Sequence, residues 1–173
     1  AVCPKDEPLR RAAFSFWVGG PITHCGAWAL PGPVQTVYRA ELAALATAVE
    51  TFRGRIVVVS HCKGVVGEAS RILAGGQARP TARHADLWRR FAAAARARGS
   101  TLRVAWVPAH QEAASARITE ADRLGNEQAD ILARREAVRV GPTEWQGRRY
   151  QARVELCQRI QRTQAAVLDS VQR

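Results

Sequence analysis

Residues 55–60 read Arg-Ile-Val-Val-Val-Ser, with four β-branched side chains in a row at Ile56, Val57, Val58 and Val59. Branching at Cβ crowds the preceding turn of a helix and suits a pleated strand. A run without polar alternation predicts a strand buried on both faces, which needs helices above and below it. The chain supplies them. Val37–Phe52 predicts a helix, since Val37, Ala44, Leu45, Ala48 and Phe52 share one face at 100° per residue. A short helix is expected over Val65–Leu73, stopped by Gly75-Gly76, and another over His84–Arg98. In the latter Leu87, Trp88, Phe91 and Ala95 point inward, and Gly99 closes the C-terminus.

The remaining strands follow from shorter signals. Residues 1–11 are polar, carry two prolines and read as a loop. Ala12–Val18 is apolar and aromatic and ends at Gly19-Gly20-Pro21, so it predicts a strand and a turn. Cys25–Leu30 is its expected hairpin partner, closed by Pro31-Gly32-Pro33, and Leu102–Val107 is the next strand. Residues 108–120 are expected as a polar loop and Asn126–Val138 as a helix. Strands alternating with helices imply an α/β domain with some parallel pairing. After Gly141-Pro142, the residues Trp145, Ala152, Leu156, Ile160, Thr163, Val167 and Val171 recur at helical spacing, accompanied by Arg148, Arg153, Arg159 and Arg162. The expected organisation is therefore a domain over residues 1–140, then a linker and basic amphipathic helix over 141–173.

Charge narrows the partner classes. The net charge is +11, from 24 Arg and 2 Lys against 15 acidic residues. Residues 87–173 hold 16 basic and 9 acidic residues, against 10 and 6 in residues 1–86, so the positive field leans toward the second half. Such a surface favours polyanions, nucleic acid or anionic lipid, although an Arg-rich genome writes the same composition. No apolar run approaches the ~20 residues of a membrane span. Acidic and basic residues from Asp6 to Arg11 interrupt what a signal peptide would need. The four cysteines, at 3, 25, 62 and 157, have neither zinc-site nor disulfide-framework spacing. They read as free thiols in a reducing intracellular compartment, nucleus or cytoplasm, and not a secreted one. The chain contains no Met and does not begin with one, which suggests a fragment of a longer polypeptide.

Three residues are candidates for chemistry. Glu41 lies in the apolar face of the first helix, about 40° from Val37 on the wheel. A carboxylate aimed at a core needs a compensating group, and a metal or a buried Arg is the usual one. His110 opens a polar loop directly after a strand, in Trp106-Val107-Pro108-Ala109-His110. Asp130 falls in the early turns of the following helix, in Gly125-Asn126-Glu127-Gln128-Ala129-Asp130, where an acid is also favoured by the helix dipole. Arg89, Arg90, Arg96 and Arg98, on one helix, are candidate phosphate contacts.

Four segments, in order, resemble type 1 ribonuclease H, closest to the domains of retroelements and reverse transcriptases. They are Tyr38-Arg39-Ala40-Glu41-Leu42-Ala43-Ala44-Leu45; Val58-Val59-Ser60-His61-Cys62-Lys63-Gly64-Val65; Trp106-Val107-Pro108-Ala109-His110; and Gly125-Asn126-Glu127-Gln128-Ala129-Asp130-Ile131-Leu132-Ala133. The likeness spans roughly residues 9–138. It implies a mixed five-stranded sheet flanked by helices. It also implies four carboxylates holding two Mg²⁺ (or Mn²⁺) ions that cut the RNA strand of an RNA–DNA hybrid. Glu41 and Asp130 match two of those carboxylates. His110 matches a histidine on a mobile loop, and the polar stretch Gln111–Thr119 suits such a loop.

Two carboxylates of the pattern are missing from their places. His61 stands where the family has an aspartate, and imidazole is a poor Mg²⁺ ligand that brings no negative charge. The family's first aspartate ends a first, central strand that would precede Ala1. Asp6, the nearest acid, lies in a proline-flanked loop. The resemblance thus implies a nucleic-acid-binding, pseudoenzyme-like domain of catalytically impaired type, with RNA–DNA hybrid as partner. The alternative is a structural remnant of a retroelement polyprotein that docks a protein partner through helix 143–173.

Overall fold

The computed structural model describes residues 9–19, 24–79, 83–109 and 118–171, with side chains through residue 168. Strand β1 (Ala13–Val18) and β2 (His24–Ala29) form an antiparallel hairpin in which Phe14 faces Trp28 and Phe16 faces Gly26. The ladder extends by a bond from the Leu30 N–H to the Ala12 carbonyl. The Gln35 side chain ties its end down, accepting from the Ala12 N–H and donating to the Leu30 and Gly32 carbonyls. Helix α1 (Val37–Thr51) follows, with the Thr36 hydroxyl accepting from the Arg39 N–H as N-cap. Then come β3 (Ile56–Ser60), α2 (Lys63–Leu73), α3 (Ala85–Arg98) and β4 (Leu102–Trp106), with α4 (Glu120–Arg139) and α5 (Glu144–Val171) completing the order.

β3 and β4 pair in parallel, Ile56 against Leu102 through Ser60 against Trp106. The mixed α/β architecture read from the sequence is present, but the sheet is in two halves. β1–β2 and β3–β4 are separate two-stranded sheets, and among the described residues no strand joins β1 to β3. Helices α1 and α4 each pack on both β1 and β3. Those two strands are therefore the ones that share both helices.

The core lies between α1, α3 and the strands. Leu42, Val49, Val65, Trp88 and Phe91 are its largest fully buried side chains, and Trp88 and Phe91 meet edge to face. The inward set expected for α3 is buried as a whole, and Gly99 ends that helix at φ 55°. Three expectations need correction. Val37 does not belong to a buried stripe: it is 57% exposed, while Ala40, Leu42, Ala43, Leu45, Ala46, Ala48 and Val49 are buried. α1 is wrapped on more sides than one amphipathic face allows, because α3 packs against it as well as the strands. β3 was expected to be buried on both faces, yet Val57 is 57% exposed. Among the described residues no helix or strand covers that side chain fully.

The third correction concerns α4, which begins at Glu120 rather than Asn126. Thr119 is its N-cap: the hydroxyl accepts from the Asp122 N–H and donates to the Asp122 carboxylate. The sequence Thr119-Glu120-Ala121-Asp122 is a capping-box pattern. The expected 108–120 loop is shortened accordingly, since Ile118 is buried and Thr119 caps the helix. α5 is the long C-terminal helix expected, with Trp145, Leu156, Ile160, Val167 and Leu168 exposed.

Cys25, Cys62 and Cys157 are free thiols, and no described helix is long and apolar enough to cross a membrane.

Candidate functional site

The site is assembled where β3 ends. Ser60, its last residue, is buried and donates from Oγ to Glu41 Oε2 at 3.0 Å. The same oxygen accepts from the Cys62 N–H at 3.1 Å, which fixes its rotamer. The chain then turns out of the sheet, and His61 swings under α4. Its Nδ1 donates to Asn126 Oδ1 at 2.9 Å, and its Nε2 lies 3.7 Å from Glu41 Oε1. The Trp106 indole, at the end of β4, donates to the His61 carbonyl at 3.0 Å and holds the turn from the other side. Lys63 places its ammonium 5.9 Å from the Trp106 ring centroid, a cation–π approach.

α4 brings the third charged group. Ser15 on β1 donates to the Ala129 carbonyl at 2.5 Å. The Trp17 ring lies against Gly125, where an added Cβ would come within 3.0 Å of it. Glycine at 125 thus allows the close approach by which α4 sits on the hairpin. With the helix so placed, Asp130 is half-buried and its charge acts on both Glu41 and His61. Because α4 starts at Glu120, Asp130 sits in the third turn, not an early one, and the helix N-terminus does little for it.

The electrostatics follow from the geometry. Burial pushes the Glu41 carboxyl above its usual range, with the Asp130 charge adding to the shift. His61 and the Ser60 hydroxyl oppose that shift without cancelling it. For His61, burial works against the charged form. The Asn126 bond and the Glu41 and Asp130 carboxylates outweigh it, so the imidazole is more basic than usual. Among the described residues, the groups that partner Glu41 are the His61 imidazole and the Ser60 hydroxyl, and no arginine reaches it.

A two-cation site needs a dense set of oxygen ligands. The donors among the described residues are the Glu41 and Asp130 carboxylates and the His61 imidazole, whose two nitrogens face Asn126 and Glu41. Among the described residues no group of three or more His, Cys, Asp or Glu side chains is arranged to hold a metal ion. The described residues do not by themselves fit a pair of Mg²⁺ ions. His110 and Asp6 lie outside the described residues. Sequence reasoning passed over Ser60, Asn126, Lys63 and Trp106. The signal for Asn126 was available, since it stands four residues before Asp130 on the same helix face.

The four arginines of α3 divide. Arg90 makes a two-pronged ion pair with Glu50 of α1. Arg98 donates to the Val49, Phe52 and Gly54 carbonyls, satisfying the C-terminal end of α1. Arg89 and Arg96, seven residues apart, line a groove of about 740 Å³ with Gly75, Gly76 and Gln77. The groove between α2 and α3 is thus rimmed by positive charge.

This arrangement, an α/β core with an acidic helix residue beside the end of a parallel strand, defines the class, and the sequence agrees with it. The RNase H family profile matches residues 2–138, and the chain belongs to that family. No curated protein matches it. Among solved structures it is similar to the RNase H domain of PFV in solution, with 19% identity and a TM-score of 0.54 over 73% of this chain and 80% of that one. It is also similar to the protease–reverse transcriptase of prototype foamy virus, at 17% identity and a TM-score of 0.51 over 78% of this chain. The match spans 22% of that larger protein. At these identities the likeness is one of fold.

Proposed function

We propose that this chain binds RNA–DNA hybrid, or a duplex of similar shape, and hydrolyses it weakly or not at all. The observation that carries the proposal is His61, set between Glu41 and Asn126 at the position where the family resemblance places an aspartate. The imidazole, made more basic than usual by Asn126 and the neighbouring carboxylates, competes when protonated with any divalent cation for the Glu41 carboxylate. Binding does not need the cation. The protein carries a net charge of +11, and the Arg89 and Arg96 side chains lie along one groove, with Arg89 Nε also donating to the Ala85 carbonyl. Phosphate contacts of this kind supply sequence-independent affinity. The family's reaction, hydrolysis of a phosphodiester in the RNA strand, needs ligands for metal that this site does not bring together.

The test uses a labelled RNA–DNA hybrid. Binding is followed by fluorescence anisotropy in EDTA across a salt titration, and cleavage is followed in Mg²⁺ and in Mn²⁺. The expected result is binding in EDTA that weakens steeply with salt, with little product in Mg²⁺. Efficient cleavage in Mg²⁺ overturns the reading of the site. Affinity that is flat across the titration overturns the reading of the groove.

A further inference from the structure

The hairpin carries an aromatic surface on the face away from α4. Alternate residues of a strand take opposite faces. Ser15 and Trp17 meet α4, so Phe14, Phe16 and their cross-strand neighbours Trp28 and Gly26 share the other face, toward α1. Phe14 joins the core. Because α1 ends at Thr51, Phe16 reaches only its C-cap, Phe52, with ring centroids 5.1 Å apart. The Trp28 indole completes the surface, 5.5 Å from Phe14 and 5.2 Å from Phe16. It folds down along its own strand, across the place that a Cβ at residue 26 would occupy, and glycine there makes room for it. Packed in this way, Trp28 is still 41% exposed.

Charge decides what such a ring can hold. An exposed indole attracts a cation or stacks on another π-system. A cationic guest would need carboxylates nearby, but segments 8–40 and 51–67, which contain the hairpin and the turn after Phe52, have no Asp or Glu. On the adjoining helices, Glu50 is closed in a two-pronged pair with Arg90. Glu136, which also accepts from the Ala29 N–H, is closed in the same way with Arg139. Phe52 leads instead into Arg53-Gly54-Arg55, with both arginines exposed. That turn is fixed in shape, since Gly54 has φ 73° and Arg98 donates to the Phe52 and Gly54 carbonyls. A presented ring beside two guanidinium groups is suited to the bases and phosphates of an unpaired strand. In a duplex the bases stay in the stack and offer no face to a side chain. β3 begins just after this turn and ends at Ser60, so about 16 Å of strand separates the surface from the charged site.

We propose that this surface is a second nucleic-acid site, selective for single strands. One base stacks on Trp28, and the backbone runs past Phe52 to Arg53 and Arg55. Fluorescence anisotropy of the full chain in EDTA tests it, with labelled oligothymidylate and an abasic strand of equal length as probes. The oligothymidylate should bind about tenfold more tightly, the worth of one stacked base. Trp28→Ala should abolish that difference, and Trp28→Phe should keep most of it. The double variant Arg53→Ala, Arg55→Ala alters an exposed turn, so it tests the charge whether or not the Trp28 variants fold. It should weaken both probes and lower the salt slope by about 1.4, from two phosphates at about 0.7 each. A blunt RNA–DNA hybrid should be little affected by any of these changes. Equal binding of the two probes, a folded Trp28→Ala protein that still prefers oligothymidylate, an unchanged salt slope, or a hybrid weakened as much as the single strand each overturns the proposal.

Discussion

Replacing His61→Asp tests how the site is balanced. The imidazole Nε2 lies 3.7 Å from Glu41 Oε1, and Asp130 acts on both groups. An aspartate at 61 would exchange an attraction for a repulsion between carboxylates. At about 5 Å and an effective dielectric of about 20, one such pair costs about 3 kcal/mol. The bond from His61 to Asn126 is lost as well, worth about 1 kcal/mol. Partial protonation of the pair and a little extra hydration give some of this back, so a net loss of about 2–3 kcal/mol is expected in EDTA. At about 2–4 °C per kcal/mol for a chain of this size, the melting temperature falls by about 4–12 °C. Three carboxylates form a far better oxygen cage for a hard cation than two carboxylates and an imidazole. Mg²⁺ at a hundred times its dissociation constant should restore about 2.7 kcal/mol to the variant. The parent should gain much less. Thermal melts of both proteins, in EDTA and in millimolar Mg²⁺, give the four numbers required. If the parent is stabilised by Mg²⁺ as much as the variant, or if the variant loses nothing in EDTA, His61 is not acting as an internal substitute for a cation.

The other predictions probe single groups. Glu41→Gln should raise the melting temperature at neutral pH, because the buried carboxyl has a raised pKa and its ionised form is the destabilised one. The sign is that of a raised acid: stability is lost as pH rises above its ordinary 4.5, so the gain from the variant should vanish below that pH. Asp86 behaves in the opposite way. Its hydrogen bond and ion pair with Arg39 lower its pKa from 3.8 to about 2, so its contribution is full above pH 3.8 and disappears as pH falls through about 2. The shift converts to at most about 2.4 kcal/mol, and since the side chain is 53% exposed, about 1 kcal/mol is expected. Asp86→Asn should remove that part of the acid-unfolding slope in a pH series of denaturant titrations. Arg98→Ala should cost about 2–4 kcal/mol in stability, by stripping the donors from three carbonyls behind α1. Arg96→Ala should leave stability alone, weaken hybrid binding and reduce its salt slope by about 1. Anisotropy and melting of the two variants side by side separate the roles.

Much of this was legible in the residues because local rules decided it. The apolar set of α3 and the glycine at 99 obey helix periodicity and the left-handed C-terminal stop, and the structure follows them. The boundary of α4 was legible too, in Thr119 and Asp122, but the polar stretch before it masked the signal. Other features depend on tertiary placement. The wheel for α1 put Val37 inward because it weighs one face, whereas α3 and the strands together enclose the helix on more than one side. β3 reads as a doubly buried strand from its composition, and only the structure reveals the exposure of Val57. At the site, the charge on Glu41 announced that a partner existed. That His61 and Ser60 reach it depended on the turn after β3, held by Trp106 from a strand more than forty residues away.

The division of the described strands into two separate pairs bears on how the molecule holds together as it breathes. Strand pairing normally makes a sheet melt as one unit, since removing any strand strips bonds from its neighbours. Among the described residues no ladder crosses from the hairpin to the parallel pair, and α1 and α4 couple the halves through side-chain packing. Hydrogen exchange should therefore resolve two blocks of amides. Amides of β1 and β2 would share the opening energy of α4, and those of β3 and β4 that of α2 and α3. The charged site straddles this seam, with Glu41 and Asp130 on the coupling helices and His61 on the parallel half. Every opening that separates the blocks pulls the imidazole away from Asn126, so the site reports on the integrity of the whole molecule.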